Sequence, residues 1–213
     1  MNLVRLYKRL LSAFGPQGWW PCSGRFRPRE WEICLGAVLT QATTWRQAER
    51  ALERLWKAGI TTPRKLLECQ GLEELIRPAG YFRQKARRLK DLAKLVLSFP
   101  SFSSFLSGVT RDQLLQIKGI GPETADAILL YACRRPVFVI DAYTFRLASR
   151  LGIPARTYHQ LQSYFESRLP KDIRVYQEFH ALIVQLGKLF CRPKPACDLC
   201  PLKSKECPYP TKP

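Results

Sequence analysis

No apolar run in this chain is long enough to span a membrane. Near the N-terminus, Leu3, Val4, Leu6, Tyr7, Leu10, Leu11 and Phe14 are apolar at helical spacing. They are interrupted by Arg5, Lys8 and Arg9, so no secretory signal stands out. Both absences predict a soluble protein of the cytoplasm, nucleoid-associated if the source is bacterial. Acidic residues are scarce: 17 Asp and Glu stand against 35 Lys and Arg, a formal net charge of +18. That imbalance points to a polyanion as partner, through phosphate neutralisation and counterion release. The competing reading is a basic protein kept soluble by its charge. No low-complexity tail or internal repeat carries that charge. It recurs at Arg83, Lys85, Arg87, Arg88 and Lys90, at Arg134 and Arg135, and at Lys188, Arg192 and Lys194, as a folded basic surface would have it.

Strand signals are missing as well, and helical periodicity dominates. Trp31, Cys34, Leu35, Val38 and Leu39 share one face of a segment from about Arg29 to Gln41. Thr43 or Thr44 can cap the next helix, which presents Ala48, Leu52, Leu55 and Trp56. Thr62-Pro63 starts a third, because Pro at the first helical position loses no needed hydrogen bond. Pro78 and Gly80 break the chain before a long helix carrying Ala86, Leu89, Leu92, Ala93 and Val96, which Pro100 ends. A short helix capped by Thr110 or Asp112 ends at Ile117, and Pro122 opens another through Tyr131. Val137–Ile140 is too short and solitary for a sheet and reads as a buried linker into a helix beginning at Asp141. Helices near 158–168 and 176–189 precede a cluster of cysteines. The predicted class is all-α. Of the eight cysteines, Cys22, Cys34, Cys69 and Cys133 are scattered and expected as plain buried thiols, whereas Cys191, Cys197, Cys200 and Cys207 crowd together near the end.

Two helices are joined by Gln116-Ile117-Lys118-Gly119-Ile120-Gly121-Pro122-Glu123-Thr124-Ala125. Glycines at both ends of the turn permit backbone conformations and close approaches that a Cβ forbids, leaving amide N–H groups exposed to a phosphate. An ordinary helix–helix corner is the plainer alternative. The segment resembles the helix-hairpin-helix motif of the endonuclease III superfamily of DNA glycosylases. The similarity extends to Val139-Ile140-Asp141-Ala142-Tyr143, to Leu39-Thr40-Gln41-Ala42-Thr43, to Gly80-Tyr81-Phe82 with Lys85-Ala86, and to the terminal cysteines.

The resemblance implies a two-lobed helical fold: residues 21–132 form a six-helix domain with the hairpin. Residues 1–20 and 133–213 form a discontinuous helical domain ending in a cysteine loop. It implies double-stranded DNA with damaged bases as the partner, bound by a monomer. Lys118, Gly119, Gly121 and Thr124 at the hairpin, with Lys188, Arg192 and Lys194, would contact the backbone. The family's catalytic aspartate matches Asp141, which could stabilise the positive charge that builds on the deoxyribose as the N-glycosidic bond breaks. Read without the family, an Asp at a helix start is an N-cap. Members that also cut the strand carry a lysine two residues beyond the second hairpin glycine; Glu123 stands there, and a carboxylate cannot form an imine. The expectation is a monofunctional glycosylase, with Asp141 and Glu123 as candidate catalytic residues at the mouth of the cleft; the plainer reading of Glu123 is an exposed first-turn helix acid.

Trp19-Trp20-Pro21 upstream of Gly36-Ala37-Val38-Leu39-Thr40-Gln41 resembles the bacterial 3-methyladenine DNA glycosylase branch, in which these aromatics and one at the position of Trp45 line the base pocket. An electron-rich aromatic slot suits a cationic methylated purine. Gln41 matches a residue that fills the space left by the flipped nucleotide, although a glutamine there could equally bond backbone. Core tryptophans are the alternative for Trp19, Trp20 and Trp45. Four thiolates spaced Cys191-x5-Cys197-x2-Cys200-x6-Cys207 can hold a [4Fe–4S] cluster or zinc. The family's loop runs six, two and five; here the outer gaps are exchanged and only one Cys-x-x-Cys is present, which favours the cluster over zinc. Glycosylases for pyrimidine lesions or mismatched uracil and thymine, and a non-catalytic binder of damaged DNA, are the competing functions.

Overall fold

The computed structural model describes residues 1–203 and 207–209. The described α-helices, in chain order, are α1 (Leu3–Phe14), α2 (Arg29–Leu39), α3 (Trp45–Lys57), α4 (Pro63–Glu68), α5 (Leu72–Leu75), α6 (Phe82–Leu97), α7 (Phe102–Gly108), α8 (Arg111–Leu115), α9 (Pro122–Ala127), α10 (Ala142–Arg150), α11 (Tyr158–Glu166) and α12 (Ile173–Leu189). Among the described residues the only β pairing is an isolated bridge between Lys203 and Cys207, and no helix is long and apolar enough to cross a membrane. The chain is all-α.

Two compact units divide it. One is Trp20–Arg134; the other joins Met1–Trp19 to Arg135–Pro213. In the first, α2 is the buried axis: every residue from Trp31 to Leu39 is buried, and the helix packs on α3, α6 and the segment after α9. Lys85 on α6 is wholly buried beneath it, donating to the carbonyls of Leu39 (2.9 Å) and Ala79 (2.7 Å). Its ammonium closes two helix ends that would otherwise leave carbonyls unsatisfied. Burial and the neighbouring Arg88 lower its pKa to about 8. Thr44 is the residue that precedes α3, and Thr110 closes a reciprocal capping box with Gln113 at the start of α8.

The helix opened by Pro122 does not run unbroken to Tyr131. α9 ends at Ala127 and Ile128–Ala132 form one π-helical turn, closed by Cys133 N donating to Ile128 O at 3.0 Å. Every residue of that turn is buried, so packing, not local propensity, sets its winding.

In the second unit α1 and α10 pack on α12. Gly187 of α12 lies so close to the Tyr143 ring that no Cβ would fit. Phe138, Phe165 and Phe179 form an aromatic core, the first two with centroids 4.7 Å apart. Val137–Ile140 belongs to no helix or strand, and Phe138, Val139 and Ile140 are buried. Its backbone is satisfied by side chains instead of a sheet: Phe138 N donates to Glu166 Oε1 and Phe138 O accepts from Gln162 Nε2, both at 2.8 Å. α12 starts at Ile173, earlier than the apolar pattern indicated, because the Asp172 carboxylate accepts from Arg174 N and Val175 N. Of the scattered cysteines only Cys34 is buried, on α2, where burial pushes its thiol well up. Cys22, Cys69 and Cys133 are half-buried instead, since they sit in a loop or at helix ends and not on a core face.

Candidate active site

The buried run ending at Ile140 delivers Asp141 to the start of α10, where it is the N-cap. One carboxylate oxygen, Oδ1, accepts from Thr144 N at 2.7 Å and from Thr144 Oγ1 at 2.8 Å. The other, Oδ2, faces His180 Nε2 across 3.5 Å. Asp141 is only 8% exposed. Burial by itself would raise its pKa, but His180 and the two Thr144 donors outweigh it and hold the carboxyl below its ordinary value. The aspartate is therefore both a cap and an ionised, enclosed carboxylate.

His180 projects from α12 and meets the Trp19 ring edge-on, with centroids 5.7 Å apart. Lys188, one of the exposed cations, lies 5.6 Å from the same indole. Neither His180 nor Thr144 stood out by pattern. Two signals were available: the Asp-x-x-Thr spacing of a helix start, and the fact that His180 is one of only two histidines in the chain.

The aromatic residues divide between the units. Trp19 belongs with Asp141 and His180, whereas Trp20, Pro21, Gln41 and Trp45 belong to the hairpin unit. Trp20 is buried, edge-on to Trp45 (5.7 Å) and Tyr131 (5.1 Å). Gly36 makes room for it, since a Cβ there would come within 3.2 Å of Trp20 Nε1. Tyr131 thus joins an aromatic group that the sequence reading limited to tryptophans. Pro21 and Trp45 instead wall a cavity of about 380 Å³, shared with Ser23, Arg25, Glu32 and Arg46. Glu32 in that wall is 1% exposed and accepts from Ser23 N at 2.6 Å, which fastens the loop to α2.

At the hairpin, Lys118, Gly119, Gly121 and Glu123 are exposed, whereas Thr124 is buried. Gly119 has φ +92°, a conformation that favours glycine. Gln41 reaches this turn: its Nε2 donates to Gly119 O (3.0 Å) and Thr124 Oγ1 (2.8 Å). The backbone-bonding role foreseen for this glutamine is therefore real.

Cys191, Cys197, Cys200 and Cys207 are all half-buried. Burial raises the Cys200 thiol, and the other three thiols raise it further, so the four lie within electrostatic reach of one another. Among the described residues no three metal-ligating groups stand in a ready coordination arrangement. Arg150 fastens the loop, donating to Cys191 Sγ at 3.0 Å and to the Arg192 carbonyl at 2.8 Å. Arg192 and Lys194 are exposed beside it.

The family profile described as HhH-GPD superfamily base excision DNA repair protein matches residues 35–171. A Methanocaldococcus jannaschii relative, provisionally named a DNA repair glycosylase, is 42% identical, with 94% of each chain covered. Endonuclease III of Thermotoga maritima is 26% identical over 81% of this chain and 80% of that protein. Among solved structures, the 3-methyladenine DNA glycosylase of H. pylori bound to 1,N6-ethenoadenine superposes with TM-score 0.79 and 35% identity, covering 88% of this chain and 98% of the other. An endonuclease III–DNA complex reaches the same TM-score at 21% identity, covering 98% of this chain and 95% of that one.

Proposed function

From membership of the HhH-GPD superfamily of base excision DNA repair proteins, to which this chain belongs as a DNA glycosylase, we propose that it releases alkylated purines by hydrolysis and leaves an abasic site uncut. The observation that carries this reading is the enclosed Asp141 carboxylate, kept ionised by Thr144 and His180. As the N-glycosidic bond of an everted nucleotide breaks, positive charge grows on the sugar. An ionised carboxylate lowers the energy of that charge and orients the attacking water. Glu123 occupies the place of the family's lysine nucleophile, so the chain supplies no amine there for a covalent adduct.

The aromatic groups around Trp19, Trp20 and Trp45 support a cationic base as the leaving group. Such a ring is drawn to electron-rich faces and departs without strong acid assistance. Likeness to the 3-methyladenine enzyme supports the same choice. Gln41 would fill the space vacated in the duplex. Lys118, Gly119, Gly121 and Thr124 would hold one phosphate run, and Lys188, Arg192 and Lys194 another. An all-thiol donor set with no imidazole or carboxylate fits an iron–sulfur cluster better than a catalytic metal, and Cys191, Cys197, Cys200 and Cys207 would hold it. A [4Fe–4S] cluster held there would cross-link a loop that Arg150, Arg146 and Arg9 also fasten, Arg146 through the Cys191 carbonyl and Arg9 through the Pro201 carbonyl.

A single-turnover excision screen tests this, using DNA that carries 3-methyladenine, 7-methylguanine, hypoxanthine, uracil or thymine glycol. The methylated purines should be released, and Asp141→Asn should slow release at least about 100-fold. Borohydride should trap no protein–DNA adduct. Release of the pyrimidines alone, undiminished release by Asp141→Asn, or a trapped adduct would each overturn the corresponding part.

A further inference from the structure

The Gln41 carboxamide is fixed at both ends. Its two N–H protons are spent on Gly119 O and Thr124 Oγ1, at 3.0 and 2.8 Å. Its oxygen accepts from Arg88 Nη1 at 2.6 Å. These partners allow one amide orientation only. Gly119 O can only accept and a guanidinium can only donate, so a flipped amide would set oxygen against oxygen and N–H against N–H. Arg88 comes from α6, and its Nη2 also reaches Gln84 Oε1 at 3.4 Å. Its guanidinium lies against Gly119, so that any Cβ there would collide with it. The glycine is thus required twice: for φ +92° and for the arginine packed beneath it.

We propose that Arg88 is a positioning residue for opening the duplex. It sets the orientation of the Gln41 carboxamide and ties it to the hairpin, so that the side chain entering the DNA and the loop holding the phosphate act as one rigid piece. Without it, the Gln41 oxygen loses its charged donor and the carboxamide is left to the two bonds from Nε2, a looser hold than a probe of the base stack requires. The proposal rests on Gln41 entering the vacated space, but not on which base is excised.

The test is therefore free of lesion chemistry. A duplex carries a tetrahydrofuran abasic site with 2-aminopurine directly 3′ to it, and its fluorescence is read at saturating protein. The parent should change the signal by altering stacking beside the gap. Arg88→Ala and Gln41→Ala should each cut that change to less than half. Arg88→Lys, which retains one donor, should recover at least half of the loss, and the double variant should add nothing to Gln41→Ala. If Arg88→Ala does not fold, Arg88→Met keeps the aliphatic stem and carries the same comparison. A full signal in the Arg88 variants beside a reduced one in Gln41→Ala overturns the role of Arg88 alone. Full signals in both overturn the Gln41 reading and this proposal with it.

Discussion

Thr144 and His180 hold Asp141 in different ways. Thr144 binds one oxygen by two hydrogen bonds from uncharged donors that the start of α10 brings into place. His180 faces the other oxygen from a distant helix, and its contribution depends on tertiary packing and on the Trp19 ring beside it. The lowered pKa of Asp141 has a defined consequence. Its stabilisation of the fold is complete above the ordinary carboxylate value and is lost as pH falls through the lower, folded value. Replacing His180 by Asn removes the imidazole that faces Oδ2 and helps lower the Asp141 pKa, so the acid loss should shift to higher pH. Urea unfolding from neutrality to about pH 3 reads this directly, as the stability difference between parent and variant across the acid range. Base release by His180→Asn should fall on the order of tenfold, since the carboxylate is less well fixed. An unmoved acid transition together with unchanged release would remove His180 from the site.

The hairpin is held from behind by an ion pair between its two helices. Arg111 of α8 donates through Nε and Nη2 to the two oxygens of Asp126 on α9, at 2.7 and 3.0 Å, and Asp126 is fully buried. A bidentate pair of this kind fixes an angle as well as a distance. Arg111→Met leaves a buried carboxylate without its cation and should cost about 3–5 kcal/mol in denaturant unfolding. Replacing both residues by apolar ones (Arg111→Met with Asp126→Leu) should recover most of that loss. If the double replacement is no more stable than the single, the pair is not what binds the helices. Much of this element was legible in the sequence, because Gly119-Ile120-Gly121-Pro122 is a local signature whose backbone needs are written in the residues themselves. The cap of α8 and the buried entry to Asp141 are local in the same sense. What escaped depends on encounters across the chain: His180 against Asp141, Arg88 and Gln41 against Gly119, Tyr131 among the tryptophans, and Glu32 on the loop that follows Trp20. No period or cap encodes these. The early start of α12 was legible in principle from Asp172, but Ile173 and Val175 in its first turn are only half-buried, and the fully buried face begins at Tyr176.

The charge excess belongs to the molecule as a whole. Basic residues are carried by both units: Arg83, Arg87, Arg88 and Lys118 in one, Lys188, Arg192 and Lys194 in the other. Ion pairs such as Asp126 with Arg111, and Glu53 with Lys57 at 3.0 Å, cancel one charge of each sign and so leave the net excess of +18 in place. Each phosphate contact releases counterions, and the logarithm of affinity for duplex DNA falls with the logarithm of salt by about 0.9 per contact. Removing the three cations around the cysteine loop (Lys188→Ala, Arg192→Ala, Lys194→Ala) should therefore flatten that slope by roughly 2–3, one step per lost phosphate contact. The loss should be nearly the same for damaged and undamaged duplexes, because phosphates carry no information about the base. Fluorescence anisotropy titrations across a salt series measure both quantities together. A slope that does not change means the loop faces away from the DNA, and its arginine clamp on Cys191 then serves the stability of the unit alone. A loss confined to damaged DNA would instead place these cations at the everted nucleotide, beside Trp19, where Lys188 already lies.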